Sequence, residues 1–491
     1  MDAGELLALD DDGSAAGEDV RFGHAEARRA MRRDFYSFLV GCMSELYGRD
    51  AFSPAWHAEA LAAKLQGVRD GAVKRLIVNV PPRHLKSLAA SIALPAWLLG
   101  SDPTLAIITV TYGQNLSDSL ARDCRAVMNS AWYQSIFETR LASPRAPLTE
   151  LRTTAGGFRL ATSVGGVLTG RGADVILIDD PMKAAEAVSP SRRRAVNDWF
   201  DGALFPRLND KRKGAIVIVM HRLHQDDLAG HVRARGGWEV VALPAIAEED
   251  ETHRIATALG AREFRRKAGE ALNPAREPLD VLATIRAEIG EYNLAAQYQQ
   301  RPAPVGGGMI KAAWFPRYPT GNQPPFERVV QSWDTANTPG ELSDYSVCTT
   351  WGIFEKRYYL INVFRKKLAY PDLKRAVHEQ NNLHRPAVIV IEDRASGTQL
   401  IQDLLSERVS HVARYAPEGE KIMRVHAQTA VMENGFVLLP SEANWLADYL
   451  AELTVFPMGR YDDQVDSTAQ FLAWARKPLP AQGMIDYWAG R

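Results

Sequence analysis

The sequence predicts two successive α/β units joined by an irregular segment. Three observations carry that prediction. Four short β-branched runs, "KRLIVNV", "TLAIITV", "DVILIDD" and "AIVIVM", recur between helical stretches in the first half. Each is apolar almost throughout, as a strand covered on both faces must be, and such strands alternating with helices make a parallel sheet. A charged stretch dense in Pro and Gly then breaks the pattern. Beyond it "ERVVQSWDTAN", "YSVCTTWGIF" and "YYLINVFRKK" are consecutive strand candidates, followed by a helix and a further buried strand, "AVIVIED".

In chain order, residues 1–24 are acidic and rich in Gly, Ala and Ser, which predicts a disordered N-terminus. Residues 25–244 hold the first α/β unit, opening with helical periodicity in "ARRAMRRDFYSFLVGCMSELYG" and "HAEALAAKLQGVRDG". Residues 245–325 read as a linker region with one helix, "LDVLATIRAEIGEYNLAAQYQQ". Residues 326–480 hold the second unit, and 481–491 form a C-terminal tail.

A composition of 46% hydrophobic and 24% charged residues is that of an ordinary globular protein. The net charge of −1 excludes a global basic field, so any nucleic acid must meet local patches. Cys42, Cys124 and Cys348 form no CxxC pair, which argues against a disulfide framework or a cysteine zinc site and fits a reducing compartment. No apolar run is long enough to span a bilayer, and the acidic start is wrong for a signal peptide. A cytoplasmic protein without a membrane is expected.

"VNVPPRHLKSLAAS" has the order strand, turn, apolar helix, which is the order of a phosphate-binding loop. Lys86 stands where a lysine reaches the β and γ phosphates, and Ser87 where a hydroxyl binds Mg²⁺. The pattern GxxxxGK[ST] asks for glycine at 80 and 85, where this chain has Val80 and Leu85. By that pattern alone an ordinary strand–turn–helix is as good a reading. "DVILIDDP" supplies a second half: Asp179 near Mg²⁺ and Asp180 to orient or deprotonate an attacking water. Arg83 either reaches the transferring phosphate or is a solvated loop arginine. Met220, His221 and Arg222 follow the next strand, where motors on nucleic acid couple hydrolysis to movement. "RLHQDD" reads as a helix cap in preference to a metal site.

The second half offers acids at the ends of elements. Asp334 lies in the first strand candidate, Glu392 and Asp393 end "AVIVIED", and Asp462, Asp463 and Asp466 open the last helix. Asp344 is a weaker candidate. A first strand with an Asp, a later parallel strand ending in an acid and a final helix opening with Asp is the acid layout of an RNase H-like nuclease. Such carboxylates hold two divalent ions, and hard oxygen donors suit Mg²⁺ or Mn²⁺. Singly, each acid also has an ordinary reading as a strand end, an ion pair or a helix N-terminal charge.

Taken together, "WHAEALAAKLQ", "KRLIVNVPPRHLKS", "TSVGGVLTGRGADVILIDDPMK", "VIVMHRLHQDDLAGHV", "YNLAAQYQQRPAPVGGGMIK", "VVQSWDTANTPGELSDYSV", "IEDRASGT" and "DDQVDS" resemble, in order, the phage terminase large subunit. The resemblance runs from about Trp56 to about Ala475. It implies a P-loop ATPase domain followed by an RNase H-like nuclease domain. Its phosphate loop resembles "PPRHGKS", so the first glycine is dispensable and Leu85 is the departure. Pro82, Arg83, His84, Leu85, Lys86 and Ser87 would hold ATP, with Mg²⁺ on Ser87 and Asp179, Asp180 as its catalytic neighbour, and Met220–Arg222 as the coupling segment. Asp334, Glu392 and Asp463 would bind the nuclease metals, with Asp462 and Asp466 beside them. Lys421 and Arg424 either contact DNA phosphate or form a solvated helix face.

The implied activity is ATP-driven translocation of double-stranded DNA into a procapsid, with endonucleolytic cleavage of concatemers. The implied partners are DNA, a portal protein, a small terminase subunit and other copies in a ring on the procapsid; a monomer when isolated is compatible. The implied place is the bacterial host cytoplasm, with absence from the mature virion. A helicase-like ATPase–nuclease of DNA repair, or a decayed prophage relic with impaired ATPase, are the alternatives.

Overall fold

The computed structural model describes residues 24–48, 55–143, 147–168, 170–258, 260–302, 309–321, 323–335, 345–394, 396–409, 411–459 and 461–477. The expected disordered N-terminus (apart from His24), the C-terminal tail and Asp344 lie outside them. The chain divides into two compact units, Met1–Pro304 and Val305–Arg491. No helix among the described residues is long and apolar enough to cross a membrane.

The first unit is built on a seven-stranded sheet of β1 (Arg75–Asn79), β2 (Ala106–Thr111), β3 (Glu150–Arg152), β4 (Phe158–Ser163), β5 (Val175–Asp179), β6 (Ala215–Met220) and β7 (Glu239–Ala242). The order is β3-β4-β2-β5-β6-β1-β7, parallel throughout except for β3. β2, β5 and β6 are buried along their whole length, which is why they are written in uninterrupted Val, Ile and Leu. Helices Phe35–Tyr47, Trp56–Arg69 and Gln114–Asn129 share one core with a face of this sheet. The N-terminal helical stretch is broken at Asp34, whose buried carboxylate accepts from Ser37 N at 2.7 Å and caps the second helix.

Because β5, β6 and β1 are neighbours and parallel, the loops that follow them emerge side by side at one edge. The phosphate-loop candidate, the Asp179–Asp180 pair and His221 meet there. This crevice at the carboxyl ends of parallel strands is where open α/β sheets place their ligands.

Residues 245–325 are not a free linker. β8 (Glu251–Thr257) and β9 (Gly260–Arg266) form an antiparallel hairpin. Phe264 stacks on Trp56 with centroids 4.5 Å apart and 10° between planes. Arg266 is buried and donates to the carbonyls of Pro244, Ala245 and Glu270 at 2.7 to 2.9 Å. The helix Leu279–Asn293 and its continuation Leu294–Tyr298 also belong to the first unit, whereas residues beyond Pro304 belong to the second. The charges that suggested a linker divide between the two sides of the hairpin: Arg254, Arg262, Glu263 and Arg265 are exposed, whereas Glu251 is half-buried and Arg266 buried.

The second unit holds β10 (Arg317–Tyr318), β11 (Arg328–Asp334), β12 (Ser346–Phe354), β13 (Arg357–Lys366), β14 (Val388–Glu392), β15 (Val412–Tyr415) and β16 (Val437–Pro440) in one sheet. Its order is β10-β16-β13-β12-β11-β14-β15. β11, β12 and β13 form an antiparallel meander, and β14 and β15 add in parallel beside β11. The helix Asp463–Ala475 shares a core with the sheet, with Phe471 stacked on Trp351 at 4.6 Å and 2°.

Candidate active sites

At the first site β1 ends in Asn79, whose Nδ2 donates to the Met220 carbonyl at 3.1 Å and fastens the ends of β1 and β6 together. The loop then turns through two left-handed residues, Arg83 at φ 63° and Leu85 at φ 64°. Only glycine takes that conformation without cost. Leu85 therefore holds the backbone shape that the second glycine of the motif would supply, and packs its side chain against the core. His84 is buried; its Nδ1 bonds the Pro82 carbonyl at 2.9 Å, and burial pushes its pKa down.

Lys86 turns back over the acids. Its Nζ is 3.1 Å from Asp180 Oδ2 and 3.3 Å from His221 Nδ1. Asp180 Oδ1 also accepts the His221 backbone N–H at 3.2 Å and lies 3.2 Å from Nδ1. Asp179 accepts Ser87 Oγ at 3.0 Å and Ser91 Oγ at 2.8 Å. Burial and the adjacent Asp180 charge push Asp179 up to about 7. Burial opposes the Asp180 carboxylate too, but Lys86 and His221 outweigh it and hold its pKa below the usual range.

The structure thus brings Lys86, Ser87, Asp179, Asp180 and His221 together. Arg83 is exposed on the loop. Met220 lies in the core and offers only its carbonyl. Arg222 turns the other way, forking onto Asp227 at 3.0 and 3.1 Å and onto the carbonyls of His224 and Gln225. Asp227 caps the helix Leu228–Arg233 through Gly230 N at 2.9 Å, the cap expected of "RLHQDD". Sequence reasoning passed over Ser91, one turn after Ser87 on the loop's helix, and Gln300, whose Oε1 takes the Arg222 backbone N–H at 3.0 Å.

At the second site β11 and β14 are adjacent and parallel, with Trp333 opposite Ile391. Asp334 and Glu392 therefore end neighbouring strands at the same edge. Asp463 and Asp466, both buried, open the helix laid against them. A polar lock beneath fixes the three elements. Ser332 Oγ donates to the Ser467 carbonyl and Ser467 Oγ to the Ser332 carbonyl, each at 2.8 Å. Gln470 Nε2 donates to Trp333 O at 3.1 Å and Val390 O at 3.3 Å, so one amide touches both acid-bearing strands. Asp393 accepts Thr398 Oγ1 at 2.9 Å.

Burial raises the Asp334 pKa well above the carboxylate range; the charges of Asp466, Glu392 and Asp463 add to this, and Lys421 opposes it. Burial likewise raises Glu392 against the pull of Arg424. Lys421 Nζ lies 2.7 Å from Asp462 Oδ1 and 2.6 Å from Asp466 Oδ2, and Arg424 donates to Asp466 Oδ1 at 3.0 Å. The two cations considered for DNA phosphate are thus spent on the acid cluster. The helix Lys421–His426 that carries them is far in sequence from Asp466 and is brought there only by folding.

The donors are all carboxylates, which suits a hard divalent ion, and their mutual repulsion shows the demand for positive charge. Among the described residues, no three His, Cys, Asp or Glu side chains converge closely enough to hold one ion. Lys421 is the cation that engages Asp462 and Asp466.

Residues 331–474 match the family model of the Terminase RNaseH-like domain. No curated protein matches the sequence. Among solved structures, the chain is similar to the large terminase from a thermophilic bacteriophage in complex with ATP-gamma-S. That match has 10% identity and a TM-score of 0.49, covering 88% of this chain and 97% of that one. The large terminase of bacteriophage HK97 matches at 13% identity and TM-score 0.38, covering 89% and 99%. The large terminase nuclease of thermophilic phage G20c with bound magnesium matches at 15% identity and TM-score 0.28, covering 35% and 98%.

Proposed function

We propose that the chain is the large terminase subunit of a phage or prophage: an ATP-driven motor on double-stranded DNA with a divalent-metal-dependent endonuclease. The observation that carries this reading is that Asp334, Glu392, Asp463 and Asp466, at the ends of neighbouring elements, lie within reach of one another's charge inside the one segment that matches a terminase nuclease model. A phosphate-loop unit in the same chain supplies the motor half.

In the first unit, Lys86 is the residue that must exchange partners. Held by Asp180 and His221, it turns toward the β and γ phosphates of ATP when these arrive. That exchange leaves Asp180 with only the two His221 contacts, so its freed oxygen can accept a proton from the attacking water. Ser87 and Asp179 would hold Mg²⁺, and Ser91 steadies the Asp179 carboxylate by donating to its Oδ2. Arg83, exposed on the loop, would contact the transferring phosphate.

In the second unit Asp334, Glu392 and Asp463 would bind two Mg²⁺ or Mn²⁺ ions, with Asp462 and Asp466 beside them. When bound, the ions supply an activated water and stabilise the leaving oxygen. The chain's own part is to hold the acid-bearing elements in register through Ser332, Ser467 and Gln470. The partners implied are a portal protein, a small terminase subunit and further copies in a ring, at work in the bacterial host cytoplasm.

The test is Asp334→Ala in the full chain. Loss of Mn²⁺-dependent plasmid cleavage with retained ATP hydrolysis is expected; normal cleavage would remove the nuclease assignment. Strand separation of a duplex substrate would point to the helicase-like alternative, because a packaging motor moves intact duplex.

A further inference from the structure

The strand edge of the first unit remote from the nucleotide site carries an unassigned cluster of positive charge. It is made by Lys74 and Arg75 at the start of β1 and by Lys211, Arg212 and Lys213 in the turn before β6. The strands bring the two segments together: Ile216 N donates to the Lys74 carbonyl at 2.9 Å. The turn is rigid. Asp210 Oδ1 accepts from Arg212 N at 2.7 Å and Lys213 N at 3.1 Å, and Gly214 N closes onto the Asp210 carbonyl at 2.7 Å. A side chain at Gly214 would stand 2.8 Å from that carbonyl, so the turn admits no bulk there. Arg75 ties strand to turn by donating to the carbonyls of Lys74, Gly214 and Lys211.

The positive charges outnumber the acid among them, Asp210, by five to one. Arg75 spends its donors on neutral carbonyls. Lys74, Lys211, Arg212 and Lys213 are exposed, and among the described residues none of the five forms a salt bridge. Asp210 is engaged chiefly by the backbone N–H groups of Arg212 and Lys213 and also feels the charges of Lys213 and Lys74, so it offsets one of the five cations. Five cations are thus gathered on two short segments of a chain of net charge −1.

We propose that this cluster is a contact for the phosphate backbone of duplex DNA, separate from both candidate active sites. The inference rests on the motor reading above and adds a site to it. A protein partner would need an apolar anchor at the centre of its contact. The large exposed apolar side chains of this unit, Tyr47, Tyr112, Val167, Leu279 and Val281, all lie outside both segments. A patch of charge without an anchor fits a ligand that is uniformly charged, and duplex DNA carries one negative charge per ~1.7 Å of its axis. Phosphate contacts carry no sequence information, which is what a grip on passing DNA requires. A β-strand of five residues spans about 16 Å, so DNA held here would not enter the ATP crevice at the other end of β1.

The test uses the full chain in EDTA, which prevents cleavage, with a fluorescent duplex of about 30 base pairs. Affinity is measured from about 50 to 200 mM salt for the wild type and for Lys211→Ala/Arg212→Ala/Lys213→Ala. Each lost phosphate contact lowers the slope of log affinity against log salt by about 0.9, so the triple variant should lose about 2.7. Its affinity should therefore fall about 40-fold less than that of the wild type over this range. Lys74→Gln, on the other segment, should lower the slope by about 0.9 and guards against a folding defect in the turn. Wild-type slopes in both variants would overturn the proposal while leaving the motor reading intact. Failure of the wild type to bind duplex at all would overturn both.

Discussion

Replacing Leu85 by glycine and by alanine asks whether the left-handed loop is a real constraint. At φ 64° an L-residue carries about 1–2 kcal/mol of backbone cost that glycine does not. Leu85 is half-buried against the core, so truncation removes about half of a full leucine burial, or about 1 kcal/mol. Leu85→Ala loses that contact and keeps the backbone cost, for a net loss of about 1 kcal/mol. Leu85→Gly loses the same contact and about 0.5–1 kcal/mol to the freer unfolded chain, but recovers about 1–2 kcal/mol of backbone cost. Glycine should therefore be the more stable of the two by about 0.7 kcal/mol, the reverse of their order at ordinary positions. In a unit of this size the gap corresponds to about 2 °C, read on the thermal unfolding transition of that unit. Because Leu85 already holds a left-handed φ that glycine adopts freely, the substitution leaves the turn of the loop unchanged. The ATPase rate of Leu85→Gly should stay within about threefold of the wild type. An alanine variant as stable as the glycine variant, or more so, would refute the account of the loop.

Lys86→Ala should lower ATP turnover by about 100-fold or more, measured as phosphate release; an unchanged rate would reduce the loop to a structural turn. Arg424→Ala removes a partner from buried Asp466 and should cost the second unit about 3 kcal/mol, read by urea unfolding in EDTA. A neutral result would mean that Lys421 alone suffices for Asp466. Gln470→Leu should cost about 1–3 kcal/mol and depress cleavage while ATP hydrolysis persists. Equal loss of both activities would separate Gln470 from the acid site.

The central strands of both sheets were readable because burial on two faces leaves a run of Val, Ile and Leu that little else produces. The acids at their ends were readable for the same reason, since a carboxylate that stops such a run must sit at a sheet edge. The hairpin β8–β9 was not. One of its faces is solvated, its strands carry Arg254, Arg262, Glu263 and Arg265 outward, and Glu251, His253 and Arg266 put charge or polarity on the inward side too, so that it passes for irregular chain. The pairing of Lys421 and Arg424 with Asp462 and Asp466 was equally hidden, because some 40 residues separate partners that only the sheet brings together. At Leu85 the motif failed as a string of letters while the backbone shape it encodes was present.

The exchange of hydrogen bonds among Ser332, Ser467 and Gln470 has a thermal consequence. Two strand ends and a helix start that share buried bonds cannot fray one at a time; each can leave only by breaking the bonds of the others. The amides of Trp333, Val390 and Ser467 should then exchange with deuterium at one common rate, set by global opening of the second unit. On slow heating, cleavage should vanish in step with that unit's melting, with no gradual decline below it.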